Sequence, residues 1–116
     1  MAVVNPAIEF MTGVPVVVWR GANAGDTFAP FVLTKQHGFV GSIQFGGTTL
    51  TGATIELQQS NDGVSYFQAK DPSGVDIEVV AAGGIFELSL GVVYVKPNFA
   101  VSGSAAGVNV FLALRG

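Results

Sequence analysis

The sequence predicts an all-β protein, an antiparallel β-sandwich of jelly-roll type, and three observations carry that expectation. Apolar residues come in short runs, several of them alternating with a period of two. Among 116 residues, 16 Gly and 5 Pro punctuate those runs. No stripe of helical period is long enough to build a helix. With a spacing of about ten residues, the runs amount to about eight or nine strands, the pattern of a two-sheet sandwich or jelly roll. A small closed barrel is the nearest rival.

Val14 to Arg20 is a β-branched run that carries Trp19. Thr27 to Thr34 follows, and Pro30 inside it calls for an edge strand or a bulge, because proline has no ladder donor. Phe39 to Phe45 sets Phe39, Gly41, Ile43 and Phe45 on one face, with Val40, Ser42 and Gln44 on a wet one. The clearest strand is Ala53 to Gln59, where Ile55 and Leu57 oppose Thr54, Glu56 and Gln58. Ser60-Asn61-Asp62-Gly63 then turns the chain, and Ser65 to Ala69 returns as the hairpin partner.

Asp71-Pro72-Ser73-Gly74 is the next strong turn, and after it Val75, Ile77 and Val79 oppose Asp76 and Glu78. Gly46-Gly47 and Ala82-Gly83-Gly84 also read as turns. Ile85 to Leu90 aims Phe86, Leu88 and Leu90 inward, opposite Glu87 and Ser89. Val92 to Lys96 runs until Pro97 withdraws a ladder donor. Phe99 to Val101 and Val108 to Leu114 complete the fold on either side of the loop 102–107. In the last strand Val108, Val110, Leu112 and Leu114 form one apolar face, while Asn109, Phe111 and Ala113 leave the other uncharged. Both faces therefore expect cover, from a neighbouring sheet or from another subunit.

Met1 to Met11 is different: Val3, Val4, Ile8, Phe10 and Met11 follow no period of two or ~3.6. It is either an irregular first strand of the core or, over residues 1–13, an apolar arm on an adjacent subunit, with 14–116 as the single sandwich domain. On the second account Val3, Val4, Ile8, Phe10 and Met11 are the partner interface.

Composition points the same way. Charged residues are 11% of the chain, against roughly 25% in an ordinary soluble domain. Apolar residues reach 49%, and the mean hydropathy is +0.53. No apolar run approaches the ~18 residues of a membrane-spanning helix, so the expected cover for this greasy surface is protein, in an assembly, and not a membrane. A net charge of -3 and a pI near 4.7 exclude a nucleic-acid binder, since the few cations are scattered from Arg20 to Arg115. The absence of Cys leaves stability to packing and backbone pairing. The opening residues lack the basic start of a signal peptide, and Pro6, Glu9 and Pro15 interrupt them, so export by a cleaved signal is not expected.

Enzyme chemistry finds no residue set. The one histidine, His37, lies in Lys35-Gln36-His37-Gly38, which reads as a solvated turn. Gly38-Phe39-Val40-Gly41-Ser42 is a strand with glycine breaks and no nucleophile elbow. One His and no Cys cannot make a zinc site. Asn61-Asp62 with Asp71 or Asp76 lacks the calcium-loop pattern, and the Gly-Gly pairs precede no helix that could hold phosphate. No catalytic residue, metal or cofactor is expected. Trp19, Tyr66 and Tyr94 are either core rings or exposed platforms for a sugar face.

The stretch Ile55-Glu56-Leu57-Gln58-Gln59-Ser60-Asn61-Asp62-Gly63-Val64-Ser65-Tyr66-Phe67 resembles the strand, Ser-x-Asp-Gly turn and aromatic return strand of small β-sandwich proteins. These include head decoration, or cement, proteins of tailed bacteriophages, and discoidin-like carbohydrate-binding modules. Lys70-Asp71-Pro72-Ser73-Gly74, Gly83-Gly84, Tyr94-Val95-Lys96-Pro97 and Val108 to Leu114 follow in the order typical of the phage proteins. The resemblance covers about Gly52 to Gly116; Phe67 stands where related hairpins often carry Trp. It implies a structural virion protein, commonly trimeric, that sits on the capsid surface and bridges neighbouring capsomers, with the major capsid protein as partner. The alternative it leaves is a carbohydrate-binding or host-attachment module of a tail or surface structure.

Overall fold

Alternating apolar and polar side chains become paired strands in the computed structural model, which describes residues 2–33, 40–80, 83–89 and 92–115. In chain order they are β1 (Val3–Val4), β2 (Ala7–Met11), β3 (Val14–Ala22), β4 (Thr27–Phe28), β5 (Phe31–Val32) and β6 (Val40–Thr49). There follow β7 (Thr54–Ser60), β8 (Phe67–Gln68), β9 (Glu78–Val80), β10 (Gly84–Ser89), β11 (Tyr94–Val101) and β12 (Ala106–Arg115). No helix occurs among the described residues.

One five-stranded sheet runs β10-β6-β12-β3-β2, and the other runs β5-β11-β7-β8 with β9 also paired to β7. Pairing within both is antiparallel. From β3 to β12 the chain passes repeatedly from one sheet to the other. Their inner faces close on one core, where Trp19, Ile43, Phe45, Val110 and Leu112 of the first sheet share a cluster with Ile55, Leu57, Val79 and Val95 of the second. This is the antiparallel β-sandwich that the period of two predicts. Trp19 is 0% exposed, and its indole N–H donates to the Ala29 carbonyl at 2.8 Å.

Several boundaries differ from expectation. The 27–34 run splits at Ala29-Pro30 into β4, which pairs parallel to β1, and β5, which pairs with β11. Pro97 does not end its strand: β11 passes through it opposite Leu57. On its other flank β11 pairs with β5 only at Tyr94 and Val95, so no ladder partner there asks proline for a donor. Val75 is 57% exposed, so the inward alternation starts at Ile77. His37, Phe39, Ala82 and Leu90 lie outside the described residues.

Gly46-Gly47 is not a turn, because β6 continues through both residues alongside β12. A Cβ on Gly47, whose φ is +155°, would sit 2.7 Å from the Val108 Cα and 2.8 Å from the Gly107 carbonyl oxygen. Backbone rather than a side chain is in the way, and backbone cannot step aside cheaply. Gly47→Ala is expected to cost about 1–3 kcal/mol through this overpacking, read as a lower midpoint of urea unfolding; an unchanged midpoint would show that the two strands can part.

The opening segment belongs to its own sandwich. Ala7–Met11 pairs with Val14–Val18 through the tight turn at Thr12-Gly13. Val3 and Val4 lie beside Thr27 and Phe28, with the Ala2 amide donating to the Asp26 carboxylate at 2.9 Å. Residues 7–11 are therefore an edge strand, yet one with exposed apolar side chains: Phe10 is 73% and Ile8 45% exposed.

Candidate functional site

Cross-strand register decides which side chains share the outer face of the β10-β6-β12-β3-β2 sheet. Opposite Trp19, Val17 and the inward face of β12, the outward set begins with Val14, Val16 and Val18 on β3 and with Phe111 and Ala113 on β12. Met11, Glu9 and Ala7 of β2 fall beside Val14, Val16 and Val18. Ser42 and Gln44 of β6 carry the face across to Glu87 and Ile85 of β10. The middle of this face is a shallow apolar groove of about 310 Å³ lined by Met11, Val16, Ser42, Gln44, Ile85, Phe111 and Ala113.

An outer sheet face in water ordinarily carries the polar half of the alternation. The second sheet follows that rule over most of its face: Glu56, Gln58, Glu78, Lys96, Asn98 and Gln68 stand opposite its core residues, with exposed Val80 and Val101 beside Thr54 at one end. The first sheet does not. Val16 and Val18 are buried but stand outside the core cluster, so what covers them is on the outer side. The Arg20 guanidinium lies 5.4 Å from the centroid of the Phe111 ring, a cation–π arrangement. It also grips Glu9 through two hydrogen bonds of 2.7 Å. That bond holds the Glu9 carboxyl below the ordinary carboxylate range and leaves the two charges spent on each other.

The five residues assigned to a partner interface do not form one patch. Met11 lines the outer groove. Ile8 and Phe10 face the other way, beside Val17 and Pro15, at the open rim of the sandwich. Val4 packs against the core, and Val3 is 61% exposed on β1. Of the other groove residues, Phe111 and Ala113 were signalled by the uncharged second face of the last strand, whereas no pattern in the sequence singled out Ile85 or Val16.

At the other end of the molecule the predicted turn forms as expected and is tightly bonded. Asp62 Oδ1 accepts from the Val64 amide at 2.8 Å, the Ser65 amide at 2.9 Å and the Ser60 hydroxyl at 2.8 Å. These bonds, the Val64 amide's first, hold the Asp62 carboxyl below its ordinary value. A depressed folded pKa means stabilisation that is complete above the ordinary aspartate range and is lost as pH falls through the folded value. Val64 and Ser65 amide resonances are therefore expected to titrate together at a midpoint below that range; a midpoint at or above it would contradict the bonding.

Of the rings proposed as platforms, Trp19 is buried and offers no face to a ligand. Tyr94 packs against Gly63, and the Lys96 ammonium sits 4.3 Å from the Tyr66 ring centroid. Among the described residues no three His, Cys, Asp or Glu side chains converge as metal ligands. No helix among the described residues is long and apolar enough to cross a membrane. The chain matches no protein-family model, no curated protein and no solved structure, which leaves its residues to speak for its role.

Proposed function

We propose that this chain is a structural virion protein, a cement subunit that decorates a phage capsid and stabilises it by bridging neighbouring capsomers. The observation that carries the reading is the contrast between the two sheets: one turns mostly polar residues outward, the other an apolar groove with the Glu9–Arg20 ion pair on one side and Glu87 on the other. The passage of the chain between two facing sheets supports the jelly-roll form of the reading, an architecture frequent in viral capsid proteins. The trimer and the major capsid protein as partner come from the family resemblance.

Size gives the mechanism its shape. The five strands hold 6, 10, 10, 9 and 5 residues, which at ~3.3 Å per residue and ~4.8 Å between strands make an outer face of roughly 600 Å². A standard interface needs about 800 Å² from each partner, so one face holds a subunit weakly. Exposed Ile8 and Phe10 at the rim add apolar area, and several subunits joined in one oligomer multiply weak contacts into firm attachment. A subunit that binds only the assembled shell stabilises it by mass action.

Sedimentation with capsid shells assembled without this chain tests the proposal. The chain is expected to co-sediment as an oligomer, with retention little changed at about 1 M NaCl, because apolar contacts are not screened as ion pairs are. A monomer that stays in the supernatant at every salt concentration would overturn it.

A further inference from the structure

Beside the Asp62 turn lies a second cavity, of about 470 Å³, lined by Gln59, Ser60, Asn61, Asp62, Ser65, Phe67 and Val92. Its chemistry is unlike that of the apolar groove. Phe67 is 70% exposed, a ring left in water at the start of β8, and every other lining side chain except Val92 can hydrogen-bond. We propose that this cavity is a binding site for a neutral saccharide, whose apolar ring face stacks on Phe67 while its hydroxyls bond to Asp62, Asn61, Gln59 and Ser65.

The frame is pre-organised. The Ser60 hydroxyl accepts from the Gly63 amide at 3.0 Å, and Asn61 Oδ1 accepts from the Val93 amide at 3.2 Å, tying the turn to the neighbouring loop. Gly63, at φ +76°, lets the turn close against the Tyr94 ring, which a Cβ would meet at 3.2 Å. Those bonds occupy Asp62 Oδ1 and Asn61 Oδ1 and leave Asp62 Oδ2 and Asn61 Nδ2, an acceptor and a donor, without a partner among the described residues. A rigid site spends little of its binding energy on ordering itself.

The same residues select the ligand class. Asp62 is ionised and is the charged side chain in the lining, so an anionic ligand is repelled, with no cation among the described lining residues to offset it. A purely apolar peptide would bury Asp62, Asn61 and Gln59 unpaired. A polyol with one apolar face satisfies both halves of the cavity. This site is independent of the shell-binding reading, since it lies on the hairpin and not on the outer face of the first sheet.

The test is two-dimensional amide NMR of the full chain with D-glucose, D-galactose, D-mannose and N-acetyl-D-glucosamine in turn, and with D-glucuronate as the charged comparison. Weak binding, with dissociation constants near ~1 mM, is expected of so shallow a site. Shifts confined to Gln59 through Phe67 and the neighbouring Val92 with at least one neutral sugar, weakened about tenfold by Phe67→Ala, would support the site. Phe67→Ala removes an exposed ring, so its thermal midpoint and its retention on shells should match the parent. Three results would overturn the proposal: no response at about 50 mM of any neutral sugar, a response untouched by Phe67→Ala, or an equal response to glucuronate.

Discussion

Exchanging Phe111 and Ile85 for serine together is expected to release the chain from capsid shells while leaving it folded. Both side chains lie on the outer face, lining the groove, and Ile85 is 66% exposed in the free subunit. Neither belongs to the core cluster. Burial of an Ile or Phe side chain contributes about 1.5–3 kcal/mol, so each loss should weaken a single contact by roughly 10- to 100-fold. In an oligomer that loss recurs at every subunit. Co-sedimentation measures retention, and urea unfolding measures whether the sandwich survives. Point variants are cleaner than deleting residues 1–11, because the deletion would strip β2 from β3 and leave a new sheet edge bare.

Trp19→Ala is expected to bring the fold to the margin of unfolding. The indole is fully enclosed between the sheets, and truncating a buried Trp costs about 3–5 kcal/mol through lost burial and the cavity left behind. The Ala29 carbonyl also loses the indole donor, worth about 1–3 kcal/mol if it stays dry. Set against a total stability of about 5–15 kcal/mol for a domain, the sum is decisive. Trp19→Phe keeps most of the ring and should lose far less. Urea unfolding of the two variants checks the order; equal midpoints would mean that the ring is not the keystone its burial indicates.

How much of this was legible in the sequence depends on where the physics is local. Ile55 and Leu57, or Ile43 and Phe45, alternate with polar neighbours, and their burial followed from that alternation. The Ser60-to-Gly63 turn was equally readable, since Asp62 and Ser60 bond to amides within a few residues of themselves. Val16 to Trp19 were harder. All four are buried because β3 is flanked on both sides, by the core inside and by Met11 of β2 and Phe111 of β12 on the outer face. A strand so placed has no alternation to read.

Long-range facts escaped altogether. Nothing local announces that Arg20 reaches Phe111 and Glu9, or that Pro97 sits where β11 has lost β5 as a partner. The choice between a first strand and an apolar arm was undecided for the same reason: pairing of residues 7–11 with β3 is a tertiary choice, while their composition alone fits either fate. Phe67 was visible beside Tyr66, but which of two adjacent rings faces solvent depends on the register with Gln59.

The account rests on the outer face of the first sheet being covered by protein in the working state. The chain has no cysteine of its own, so a single Ala113→Cys reports that face and a single Gln58→Cys reports the polar sheet. With a maleimide reagent, both sites should react in free subunits. On shells the cysteine at 113 should become strongly protected while the one at 58 keeps its rate. Equal labelling of the two positions on shells would contradict the account, because the apolar face would then still be open to water.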